Sequence, residues 1–146
     1  MKPTPPGWPR ITPALYYDDA AAAIDWLCKA FGFEVRIRVD GPDGRVAHAE
    51  LTYGDGLVMV GEAARTEKYP YRRSPGQAGG ANTQNLTVYV DDVELHHRRA
   101  REAGARIVSA PETVDYGPEH WADRAYQCAD RGGHHWWFCE RVRGPP

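Results

Sequence analysis

The sequence predicts an α+β fold made of two β-α-β-β-β modules in tandem, and three observations predict it. Tyr16-Tyr17-Asp18-Asp19 returns as Tyr89-Val90-Asp91-Asp92 at an offset of 73 residues, half of the 146-residue chain. The distance from the second Asp to the glycine that ends the following helical pattern is 13 residues in one half and 12 in the other. Each half then closes on a hairpin signal, Asp55-Gly56 first and Asp130-Arg131-Gly132-Gly133 second. Self-similarity at this spacing marks duplication of one supersecondary unit.

The elements follow in order. Residues 1–9 hold four prolines and Trp8, an extended arm that cannot pair fully in a sheet and is expected to pack on a partner subunit. Arg10 to Tyr17 reads as a strand. Asp18-Asp19 caps a helix whose apolar positions Ala20, Ile24, Leu27 and Phe31 recur at helical spacing until Gly32. Three strands follow, 33–39, 46–53 and 57–60, with Gly41-Pro42-Asp43-Gly44 and Asp55-Gly56 as turns. Residues 63–83 lack periodicity and read as a functional loop or connector between a first module at 10–62 and a second at 84–140, within one domain spanning 1–146. In the second half Asn85–Val90 is a strand, Asp91-Asp92 caps a helix ended by Gly104, a strand starts at Ala105–Ser109, residues 110–122 are a loop, and 124–129 pairs with 134–140.

Composition narrows the function classes. Eighteen basic residues nearly balance twenty acidic ones, and only Lys2, Lys29 and Lys68 are lysines, so no basic stripe suits a nucleic-acid backbone. No apolar run approaches the roughly 18–20 residues of a membrane span, and the N-terminus lacks the apolar core of a signal peptide, so a cytoplasmic location is expected. Cys28, Cys128 and Cys139 are odd in number and lack close spacing, which fits reduced thiols. No phosphate-binding Gly-rich loop and no Ser or Cys triad spacing occurs.

Several segments together resemble the vicinal-oxygen-chelate superfamily, which contains glyoxalase I, bleomycin-resistance proteins and extradiol dioxygenases. They are Ile11-Thr12-Pro13-Ala14-Leu15-Tyr16-Tyr17-Asp18, Phe31-Gly32-Phe33, His48-Ala49-Glu50-Leu51 before Gly54-Asp55-Gly56, Val88-Tyr89-Val90-Asp91-Asp92-Val93 and Ala103-Gly104-Ala105. The ending Asp130-Arg131-Gly132-Gly133-His134-His135-Trp136-Trp137 points to an uncharacterised bacterial glyoxalase-like branch. The resemblance implies curved mixed sheets that form a cleft, and a homodimer. Metal-binding members place one ligand on each of four strands, and those places fall here at Thr12, Glu50, Asn85 and Trp137. Only Glu50 is a usual ligand, so no metal cofactor is expected. A relocated divalent-metal site on Glu50, His48 and His135 stays open as an alternative.

Strand alternation puts His48 and Thr52 on the face of Glu50, and His135 and Cys139 on the face of Trp137. The expected ligand-binding set is Thr12, Tyr16, His48, Glu50, Asn85, Tyr89, Trp121, His135 and Trp137, with Thr87 beside them. Rings in that set supply contact area and the polar groups fix orientation. Glu50 and His48 are the candidate catalytic pair, a carboxylate beside an imidazole, or else a pair that satisfies itself in a half-polar sheet. Trp121 is either a lid over the ligand or packing under its loop. His96-His97 reads as a solvated helix face. The function expected is binding of a small, aromatic or planar molecule. The alternatives are a glyoxalase-like lyase or isomerase with Glu50 as base and a divalent metal, and a ligand-free scaffold.

Overall fold

The structure is a computed structural model that describes residues 1–64 and 67–146. It divides into two compact units, Met1–Ala81 and Asn82–Pro146, each a β-α-β-β-β module. In the first, β1 (Ala14–Tyr17), α1 (Ala20–Phe31), β2 (Glu34–Asp40), β3 (Val46–Tyr53) and β4 (Gly56–Glu62) give a mixed sheet in the order β1-β4-β3-β2. In the second, β5 (Leu86–Tyr89), α2 (Val93–Glu102), β6 (Arg106–Asp115), β7 (Ala122–Ala129) and β8 (His135–Arg143) repeat it as β5-β8-β7-β6.

The two helix starts are built alike. Asp19 accepts from the Ala22 amide and Asp92 from the Leu95 amide, each satisfying a donor that the first helical turn leaves open. A glutamate from the last strand of each module adds a second acceptor: Glu62 for the Ala20 amide and Glu140 for the Val93 amide. Gly32 ends α1 at φ 84°, and Gly104 follows α2 at φ 95°, conformations a side chain would strain. On α1 the stripe Ala20, Ile24, Leu27 and Phe31 is buried together with Leu15, Leu51 and Val60 of the sheet, so α1 covers one sheet face and leaves the other helix-free.

Three sequence expectations need correction. β6 continues through residues 110–115, where a loop was expected, because Pro111 lies on an edge strand at a break in register between Ser109 and Glu112, where its missing N–H costs nothing. His96 is buried at 7% exposure, with its Nδ1 at 2.7 Å from the Tyr126 hydroxyl and its ring on Phe138, so α2 presents an imidazole to its own sheet and not to solvent. The third concerns the N-terminal side of the first module, where Arg36 Nη1 donates to the Gly7 carbonyl and its guanidinium lies 5.4 Å from the Trp8 ring. The first strand is also shorter than expected and starts at Ala14. Residues 65 and 66, within the expected connector, lie outside the described residues; the rest of that stretch up to Ala81 is compact with the first module.

Candidate functional site

On the helix-free face of the first sheet, β3 brings out His48, Glu50 and Thr52, because Ala49 and Leu51 between them are buried on the helix side. Glu50 pairs in register with Met59 of β4, and Met59 with Ala14 of β1. Two residues further along, Tyr16 pairs with Gly61, where an added Cβ would stand 3.7 Å from the tyrosine ring. Tyr16, Met59, Glu50 and His48 therefore share one face.

Glu50 is 7% exposed yet keeps two partners. His48 Nε2 lies 2.9 Å from Oε1, and Arg36 Nε lies 3.5 Å from Oε2. Arg36 reaches it through a bulge: Val35 pairs with Leu51 and Ile37 with Glu50, so Arg36 is an extra residue on β2, turned toward the carboxylate. Sequence reasoning missed Arg36, since the alternation of β2 gives no sign of where a bulge will fall. The same guanidinium borders a cavity of about 540 Å³ lined by Gly7, Trp8, Pro9, Arg36, Thr52 and the 54–56 turn, a volume within the range of small-molecule sites. Thr12 is half-buried, and its Oγ1 is enclosed with no hydrogen-bond partner among the described residues.

The second module carries a different set at matching register positions. Trp137 pairs with Thr87 and with Gln127, which stands where the first module has Glu50. Gln127 Nε2 lies 3.4 Å from His135 Nδ1, and Asn82 holds the His135 backbone. Asn85 is exposed just before β5. Tyr89 donates to Asp123 at 3.1 Å and accepts from Arg141, which also pairs with Asp123. Desolvation raises the Tyr89 pKa, opposed by the hydrogen bond from Arg141 and reinforced by Asp123. Arg141 lies 5.1 Å from the ring of Trp121, which closes the 116–121 turn onto Tyr116 through its carbonyl. Arg141 and Asp123 are further residues the sequence reading passed over.

Cys128 and Cys139 are buried and Cys28 partly so. Burial pushes the Cys128 thiol up to about 12, with Asp130 adding to it, and raises Cys139 as well.

The four places implied by the family for metal ligands hold Thr12, Glu50, Asn85 and Trp137, so the donor set offers one carboxylate and no imidazole. That carboxylate is already paired with the guanidinium of Arg36, a fixed positive charge beside it. These residues do not fit a divalent cation. Among the described residues no group of three or more His, Cys, Asp or Glu side chains is gathered to hold one.

The tandem modules, with parallel β1–β4 and β5–β8 pairs each joined through a helix, define a glyoxalase-type fold. The chain belongs to the Glyoxalase/Bleomycin resistance protein/Dioxygenase superfamily, whose family model matches residues 10–138. It is 38% identical to the Mycobacterium bovis protein Mb0911c over 136 residues, 92% of this chain and 85% of that protein. Among solved structures it is similar to TioX from Micromonospora sp. ML1, with 32% identity, a TM-score of 0.68, and coverage of 90% of this chain and 95% of the other. TnmS3, an antibiotic binding protein from Streptomyces sp. CB03234, shares the fold at 18% identity and a TM-score of 0.65, over 90% of this chain and 93% of its own. No helix among the described residues is long and apolar enough to cross a membrane.

Proposed function

We propose that this chain binds a small planar or aromatic molecule on the helix-free face around Glu50, and that it does so without the divalent metal of its family. The observation that carries the reading is the partnership of the buried Glu50 carboxylate with Arg36 and His48 from its own chain. A carboxylate already neutralised by a guanidinium serves as a hydrogen-bond acceptor for a ligand, not as an ion ligand. Tyr16 and Met59 beside it supply apolar area, and the cavity by Trp8 extends it. The antibiotic-binding neighbour TnmS3 supports the reading, since this fold serves there to hold a small molecule.

The 2.9 Å contact between His48 and Glu50 favours a second reading, a lyase or isomerase in which Glu50 takes a proton from the ligand. Exchange of a ligand C–H for deuterium, dependent on Glu50, would support it. We also propose a homodimer in the cytoplasm. The assembly is supported by the apolar side chains Val35, Ile37 and Val39, all exposed on edge strand β2.

Calorimetric titration tests the main reading with a three-ring aromatic amide, anthraquinone-2-carboxamide, whose N–H₂ can donate to Glu50. Binding is expected in the presence of EDTA, weakened about tenfold by Glu50→Gln with the melting temperature little changed. Failure to bind, or binding only after a divalent metal is added, contradicts it.

A further inference from the structure

The stretch after β4 folds back on the site. Ser74 is buried at 2% exposure and donates to Asp18 at 2.7 Å, Gln77 donates from Nε2 to the Ala64 carbonyl, and the Ala64 amide donates to the Arg72 carbonyl. The stretch is thereby pinned to the corner between β1 and α1, and it holds Arg72 in one place.

Arg72 is half-buried among tyrosines. Its guanidinium carbon lies 4.0 Å from the ring centre of Tyr69, 5.6 Å from that of Tyr16 and 6.0 Å from that of Tyr71. Tyr16 is on the helix-free face with Glu50, so these contacts bring a second cation to that face. Unlike Arg36, this one has no acceptor for its Nε, which is fully enclosed and without a hydrogen-bond partner among the described residues. The other enclosed side-chain atom without a partner is Thr12 Oγ1, four residues before Tyr16 on the same approach to β1. Leaving a buried guanidinium N–H unmet costs more than an ordinary lost hydrogen bond. Both residues belong to the β1 side of the first module, Thr12 on the approach to the strand and Arg72 beside Tyr16. The acid at this corner, Asp18, already accepts from Ser74, and residues 67–73 hold Lys68, Arg72 and Arg73 against Glu67 alone.

We propose that Arg72, with Tyr16, Tyr69 and Tyr71, is the anion-recognising end of the ligand site, and that the ligand class is a planar aromatic carboxylate. The rings would take the planar body, and the terminal N–H groups of the guanidinium, beyond its enclosed Nε, would donate to the two carboxylate oxygens, a match of fork to fork that a cationic or neutral ligand cannot make. β1 and β3 are two strand spacings apart, roughly 10 Å, which a three-ring body spans. The proposal rests on the planar-ligand reading above and adds the charge of the ligand and the residue that selects it.

The test is calorimetric titration of the whole chain with the isosteric pair anthraquinone-2-carboxylate and anthraquinone-2-carboxamide. The carboxylate is expected to bind at least about tenfold more tightly than the amide. Arg72→Met should remove that preference, weakening the carboxylate at least about tenfold. Arg72→Lys, which keeps the charge but loses the planar fork, should retain only part of the preference, and it carries the test if Arg72→Met fails to fold. Equal binding of both probes to the unmodified protein, or an unchanged preference in either variant, overturns the role of Arg72 and leaves the planar-ligand reading standing. Failure of both probes to bind defeats that reading, and this inference with it.

Discussion

The two modules share a backbone plan and differ on the face where a ligand would lie. Asp19 and Asp92 cap their helices, Glu62 and Glu140 back those caps, and Tyr16 and Tyr89 occupy matching strand positions. On the open faces Glu50 answers to Gln127, Met59 to Trp137 and Gly61 to Cys139. The first module thus places Glu50 with Arg36 and Arg72 on that face, where the second module has Gln127 beside His135 and, further along, the Asp123–Arg141 ion pair. Duplication explains the difference: positions that close helices and seat strands tolerate little change, whereas a face without a helix on it can diverge in each copy.

The largest expected effect contrasts the helices. Ile24 is buried on α1, and the corresponding fifth residue of α2 is the half-buried His97. Ile24→Asp should cost about 3–5 kcal/mol, the penalty of an uncompensated buried charge, whereas His97→Asp should cost about 1 kcal/mol or less. Urea unfolding of both variants checks this, and equal losses would break the comparison. A smaller contrast concerns the closing turns. Buried Asp130 accepts from the amides of Gly132 and His134 and from Trp136 Nε1, while Asp55 is exposed in its turn. Asp130→Ala should lose about 3 kcal/mol and Asp55→Ala no more than about 0.5 kcal/mol in the same assay. The smallest effect is the pair His96 and Tyr126, joined at 2.7 Å inside the second module. Tyr126→Phe should cost about 1–2 kcal/mol in the native chain and clearly less once His96 is Leu, a coupling that a double-mutant cycle reads directly.

The plan of the modules was legible in the sequence because it rests on local signals: an Asp-Asp pair before a 3.6-residue apolar period, a glycine past its end, and hairpin turns. The open face was legible only as far as strand alternation carries. It placed His48 with Glu50 and His135 with Trp137, but it stops at irregularities in register. The bulge that turns Arg36 onto Glu50 and the break that lets Pro111 sit within β6 depend on pairing with a neighbouring strand, which no local pattern encodes. Arg72 escaped notice for a related reason, since it comes from an aperiodic stretch whose place is set by the buried contact of Ser74 with Asp18. His96 reads as solvated beside His97, Arg98 and Arg99, whereas in the fold the Tyr126 hydroxyl opposite meets its Nδ1.

Native mass spectrometry of the chain purified without chelator, beside Glu50→Gln, tests the central claim most directly. The account predicts no stoichiometric divalent metal on either protein, together with a noncovalent organic adduct, or uptake of an added planar aromatic, that Glu50→Gln diminishes. A stoichiometric zinc, nickel, iron or manganese ion on the unmodified chain that disappears in Glu50→Gln would contradict it, because it would make Glu50 an ion ligand in spite of Arg36.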